Sequence, residues 1–208
     1  LTLNKTNYMS PEKVEPLKQK YIQLLRSTEV EGIDDLIDYL QGTDFFVAPA
    51  SSKFHGNYKF GLLLHSLNVL SNLVKINQSF NLAIPDNRMI LAALLHDICK
   101  AGCYKQYEFR RNIDRTWFTC IGYKYETDLP LGHGEKSVMI AQQFIKLDFE
   151  TLAMIRWHMG AYEDCNKLEL ASACNKYKSV VALQIADTQA SNFMEDIVEL
   201  GPTEDDLR

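Results

Sequence analysis

The segment LLHDICKAG, residues 94–102, places a histidine and an aspartate side by side at the end of a strongly apolar run. A helix carrying that run must turn most of its surface into a core. An imidazole or carboxylate buried there without a partner is strongly unfavourable. His96 and Asp97 therefore need a partner that the surrounding leucines and alanines do not provide. A metal ion would satisfy both.

Helical periodicity dominates the rest of the chain. Ser10-Pro11 reads as a cap followed by proline at the first helical position of PEKVEPLKQKYIQLLRS. IDDLIDYLQ is a shorter helix that stops at Gly42, and residues 43–60 read as loop from Pro49, the serine pair and Gly56. GLLLHSLNVLSNLVKI repeats apolar residues at three and four. Asp86 is placed to cap the helix NRMILAALLHDICKA, which Gly102 should end. Residues 103–128 change character, being rich in aromatic and β-branched residues, and predict a β-hairpin with a turn near Asn112 to Arg115. Helices resume with GEKSVMIAQQFIKL, DFETLAMIRWHM and KYKSVVALQIADTQASNFMED. Neither an internal repeat nor a linker between two cores is visible. The expectation is one mainly α domain over 1–208, with N-terminal helices over 1–42 and a β insert over 103–128.

Composition narrows the function classes. A net charge of -5 gives no general basic field, so nucleic acid and anionic membranes are disfavoured as partners. The longest apolar stretch is interrupted by polar residues at helical spacing, so no membrane span is expected, and the first residues lack the regions of a signal peptide. The cysteines at 99, 103, 120, 165 and 174 are odd in number and form no C-x-x-C pair, which fits reduced thiols and a cytoplasmic protein. Cys99 and Cys103 stand beside the His-Asp pair, but packing is the simpler role for them.

The chain has only five histidines, and four have helical or helix-edge settings among apolar neighbours: His65, His96, His133 and His158. Asp187 interrupts VVALQIADTQA where a buried residue is expected. Singly, each is best read as a hydrogen-bonded core or capping residue. Jointly, five helices each bring nitrogen or oxygen ligands to apolar stretches. Buried polar groups must be paired, and one shared metal centre is more economical than five local explanations. Imidazole with carboxylate suits Fe, Mn, Zn, Co or Ni, with Mg at a carboxylate-rich side.

Written out as His65, His96-Asp97, His133, His158 and Asp187, this order resembles the signature of the HD-domain superfamily of metal-dependent phosphohydrolases. The resemblance covers about residues 54–192 and rests on the settings GLLLHSLNV, LAALLHDICKAG and IADTQAS. It implies an HD-domain-like helical bundle with the metal site at its centre. By that resemblance His65, His96, Asp97 and Asp187 hold one divalent ion. Asp97 would bridge to a second ion completed by His133 and His158. The double histidine and Gly-Tyr-Pro segment of the cyclic-di-GMP phosphodiesterase branch are missing. The expected substrate is a small phosphate ester, a nucleotide or something similar, hydrolysed by metal-activated water.

Around these ligands other residues have candidate roles. Asp97 would orient the attacking water, and Lys100, one helical turn on, would stabilise a phosphate oxygen or leaving group. Its ordinary alternative is a lysine favoured at a helix C-terminus. Glu135 could support a ligand imidazole or simply favour a helix N-terminus. Arg110 and Arg111 could grip phosphate or lie on a solvated turn. His55 sits in a loop just before the His65 helix. Specificity is expected from loop 43–60, the β insert and loop 160–176. Two rival readings share the ligand set: a di-iron oxygenase, as in myo-inositol oxygenase, and a sensor module whose metal is structural.

Overall fold

The computed structural model describes residues 11–113, 115–162 and 166–195. Ser10, read as a cap, and Cys165 lie outside the described residues. The chain runs through α1 (Pro11–Arg26), α2 (Ile33–Gly42), α3 (Gly61–Phe80) and α4 (Asp86–Leu95). A 3-10 turn, Ile98–Lys100, leads into β1 (Tyr104–Ile113) and β2 (Thr116–Tyr125). Then come α5 (His133–Ala141), α6 (Phe149–Arg156), α7 (Lys167–Lys176) and α8 (Lys178–Gln189). The result is a mainly helical fold with one antiparallel hairpin among the described residues.

The long helix α3 is the axis of the packing. It lies against α4 on one side and α8 on the other, and α6 spans between those two. Leu62, Leu63, Val69 and Leu73 recur on it at helical spacing, and all are buried. Helix α1 covers α3 and α4, closing the core with Tyr21, whose hydroxyl donates to the Leu94 carbonyl at 2.6 Å. That bond satisfies one of the carbonyls left open at the end of α4. The hairpin pairs Tyr104 with Tyr125 at its base and Ile113 with Thr116 at its tip.

Element boundaries differ from the periodic pattern in several places. Asp86 is the first residue of α4 and Pro85 takes the cap position, so Asp86 does not cap the helix. Helix α4 does not run on to Ala101. It ends at Leu95, because Asp97 leaves helical geometry at φ -117, ψ 16 and the chain re-forms only a single 3-10 turn. α5 stops at Ala141, well before Leu147. Residues 167–176, expected in a loop, form α7, whose start is capped by the Asn166 side chain accepting from Leu168 and Glu169 N–H. The last helix is split from α7 at Tyr177, and past Gln189 it widens into a π turn, Ala190–Met194.

α6 has the strongest local start signal. Asp148 Oδ1 accepts from the backbone N–H of Glu150 and Thr151, both at 2.9 Å. Arg88 of α4 reaches the same carboxylate at 3.3 Å. Asp148→Ala is expected to cost about 1–2 kcal/mol. In thermal unfolding this should read as a fall in Tm of roughly 2–8 °C.

Candidate metal centre

Two helix ends use the same device. His96 follows Ala93 by three residues at the end of α4, and its Nδ1 lies 2.8 Å from the Ala93 carbonyl. His158 follows Ile155 by three at the end of α6, and its Nδ1 lies 2.8 Å from the Ile155 carbonyl. A carbonyl accepts only, so each Nδ1 must carry the proton and each Nε2 keeps its lone pair. His65, on α3, has Nδ1 3.0 Å from a Glu195 carboxylate oxygen, which orients its Nε2 in the same way.

The three Nε2 atoms and two carboxylates converge. His65 Nε2 is 3.1 Å from His96 Nε2, 3.2 Å from Asp187 Oδ1 and 3.6 Å from Asp97 Oδ2. His96 Nε2 is 3.4 Å from Asp97 Oδ2, and His158 Nε2 is 3.7 Å from Asp97 Oδ1. Ligand atoms about 2.0–2.2 Å from one ion stand roughly 3–4 Å apart in tetrahedral or octahedral geometry. Asp97 Oδ1 and His158 Nε2 are buried with no hydrogen-bond partner, facing each other. Lone pairs aimed together in a core repel unless a cation lies between them. These residues therefore fit a divalent metal ion.

The electrostatics agree. Burial opposes a charge on His65, but Glu195 and Asp187 outweigh it and raise its pKa to about 10. The surroundings demand positive charge at this point. Burial lowers the pKa of His158 to about 4, with His96 adding to it, so the ring is neutral and ligand-ready. Burial would raise the Asp97 carboxyl, yet Lys100, His96 and His158 hold it well below the usual carboxylate range. Asp187 is likewise held down, by the His65 hydrogen bond and charge against burial.

A sequence model of the HD domain matches residues 62–188, more than half of the chain. The chain belongs to the HD-domain family. HD domains are mostly metal-dependent hydrolases, and the clustered His and Asp side chains are compatible with metal binding. No curated protein and no solved structure matches the chain. Among the described residues no helix is long and apolar enough to cross a membrane.

The other candidate residues of this HD domain are placed unevenly. Among the described residues, three groups have donor atoms within 4.8 Å of one another: His65, His96 and Asp97; His96, His158 and Asp187; His55, His65 and Glu195. His133 enters none of them. It opens α5, with Nδ1 3.7 Å from the Cys99 sulfur and its ring against Tyr125. No cysteine enters these groups, and burial and Asp97 push the Cys99 thiol up to about 12. Lys100 is buried with its Nζ 2.6 Å from Asp97 Oδ2. His55 lies 4.9 Å, ring to ring, from His65, and burial lowers its pKa to about 4. Arg110 and Arg111 are not brought to the cluster. They pair with Thr119 and Phe118, six and seven residues up β1 from Tyr104, about 20 Å along the strand. Glu135 accepts from Gly132 N–H at 3.3 Å and pairs with Arg156 rather than with an imidazole of the cluster.

Glu195 is the residue that sequence reasoning passed over. It lies just after the π turn, its side chain wholly buried, and binds His65 and Asn68. The periodic pattern ran through it as the polar end of a helix. The signal present was an acidic residue eight positions after Asp187 on the same predicted helix, and the widened turn that aims it inward has no sequence mark. Metal removal is expected to destabilise the protein, because an ion that binds only the folded chain contributes about 2.7 kcal/mol at a hundredfold excess over Kd. A chelator should lower Tm by roughly 5–10 °C, and readdition of metal should restore it. His96→Ala should abolish that shift, whereas His133→Ala should retain it.

Proposed function

We propose that this HD domain is a phosphohydrolase that cleaves a small phosphate ester, a nucleotide or a similar molecule, at the His-Asp centre. The observation that carries the reading is the pair of buried, unpartnered atoms, Asp97 Oδ1 and His158 Nε2, within a ring of imidazole lone pairs. In this proposal His65, His96, Asp97 and Asp187 hold a divalent ion, with His158 beside them and His133 at the outer edge, toward Cys99. When bound, such an ion acidifies water and withdraws charge from a phosphoryl oxygen.

The chain's own groups supply the rest. Asp97, kept ionised by its surroundings, accepts a hydrogen bond from the attacking water and so fixes its direction. Lys100 sits 2.6 Å from the same carboxylate, where its ammonium can stabilise negative charge growing on the phosphate. Glu195 holds the His65 ring in one orientation. His55, in the loop before α3, approaches from the substrate side, its Nε2 buried without a hydrogen-bond partner. We further propose that the whole chain works as one domain, with residues 103–128 as an insert on the metal-binding core. The protein is proposed to act in the cytoplasm without a membrane or nucleic-acid partner.

Elemental analysis of the protein purified without added metal, beside a screen for phosphate release from nucleotides with Mn and Mg, tests the reading. Metal at the centre with phosphate release supports it. Two irons per chain with oxygen consumption and no hydrolysis would replace it with an oxygenase. Metal with neither activity would leave a binding module. Asp97→Ala is expected to stay folded, lose its metal and lose at least about 10³-fold in activity, the scale for one electrostatic group at the reacting centre. Unchanged metal content and activity in that variant would sink the model.

A further inference from the structure

Lys136 is the fourth residue of α5 and is 4% exposed. Its Nζ donates to the Tyr125 hydroxyl at 2.7 Å and lies 5.3 Å from the centre of that ring. Among the described residues it has no ion pair. The contrast with Lys100 is direct, since that equally buried ammonium has the Asp97 carboxylate at 2.6 Å. A buried charge is normally paired with an opposite one. A phenol offers only a dipole, so the Lys136 ammonium lacks a counter-anion.

Its neighbours connect it to the metal centre. Tyr125 packs edge-on against Tyr104 at 5.4 Å and against His133 at 5.5 Å. Lys136 lies on α5, which packs against the Ile98–Lys100 turn that carries Lys100. Ser137, next to Lys136, accepts the Cys99 N–H at 3.3 Å, which ties this turn of α5 to the segment following Asp97.

We propose that Lys136 and the Tyr125 hydroxyl form an anion subsite for a phosphate group of the substrate, beside Lys100 on the hairpin side of the metal centre. The proposal rests on the phosphate-ester reading and deepens it by giving the base of the β insert a share in substrate binding. Tyr125, whose hydroxyl accepts from Lys136 and is also hydrogen-bonded with Cys103, turns its O–H to a phosphate oxygen. The ammonium gains a charge-assisted bond.

The test is calorimetric titration of inorganic phosphate into the metal-loaded protein, wild type against Lys136→Met and Lys136→Arg, with metal content and Tm measured on each preparation. Lys136→Met should weaken phosphate binding by roughly tenfold or more, the scale of one hydrogen bond to a charged group. Lys136→Arg should keep most of the affinity, and metal content should not change in either variant. Should Lys136→Met fail to fold, Lys136→Gln, which retains a donor for Tyr125 but no charge, takes its place. Equal affinity in all variants, absence of phosphate binding in the wild type, or failure of both neutral variants to fold would overturn the subsite. The last outcome would make Lys136 a clasp for the hairpin. Lys136-dependent phosphate binding without hydrolysis of any ester would keep the subsite and remove the reaction. Hydrolysis with Lys136-independent binding would do the reverse.

Discussion

Three imidazoles whose Nδ1 atoms are already engaged aim their remaining lone pairs at two carboxylates inside a core, and the rest of the structure is arranged around that conflict. Within the protein a proton on His65, drawn there by Glu195 and Asp187, resolves only part of the conflict: Asp97 Oδ1 and His158 Nε2 have no bond. Acceptors packed against acceptors in a low-dielectric interior are unfavourable without a cation. The same arrangement is what a metal requires, namely imidazoles oriented through Nδ1, whose Nε2 a cation would take in place of a proton, and ionised carboxylates. A buried cluster this costly is sustained by the apolar packing of α3, α4, α6 and α8 around it.

His96 and His158 sit at helix ends because ends offer free carbonyls. An Nδ1–H bonded to the carbonyl three residues back, as in His96 and His158, satisfies an open helix terminus and sets the ring's tautomer at once. Tyr21 takes the neighbouring Leu94 carbonyl from the side of α1. Gly134 lets α5 approach the end of α6, since a Cβ there would run into the Ile155 and Arg156 carbonyl oxygens. That contact brings His133, Lys136 and His158 into one region, although their positions along the chain are far apart.

The helical fold was legible because apolar periodicity in α3 and α4 reports burial directly, and the His-Asp pair was legible because it breaks that periodicity. Boundaries were not. The pattern LAALLHDICKA has no proline or glycine before Gly102, yet the chain leaves the helix at Asp97, a choice dictated by where the carboxylate must point. Glu195 and Lys136 were missed for a related reason. On a helix a charged residue reads as solvated by default, and only the packing of a distant element shows it buried. Arg110 and Arg111 are the opposite case: of the two roles they invite, a phosphate grip or a solvated turn, their place up the strand from Tyr104 favours the turn.

A two-stranded ribbon is barely stable alone, so the hairpin's position depends on what grips its base. Its upper part is largely solvated, with Trp117 61% exposed. At the base, Tyr104 donates to the Ala50 carbonyl in the loop before α3, and Tyr125 holds Lys136 of α5. Both anchors lie beside groups that face the metal centre: Tyr104 borders Lys100, and Tyr125 borders His133. Any anion drawn to Lys100 and Lys136 would therefore compete for, or add to, the contacts that dock the ribbon. In the proposed subsite, hairpin placement and anion binding would be coupled through two tyrosine hydroxyls, while the exposed upper strands lie away from the His-Asp cluster.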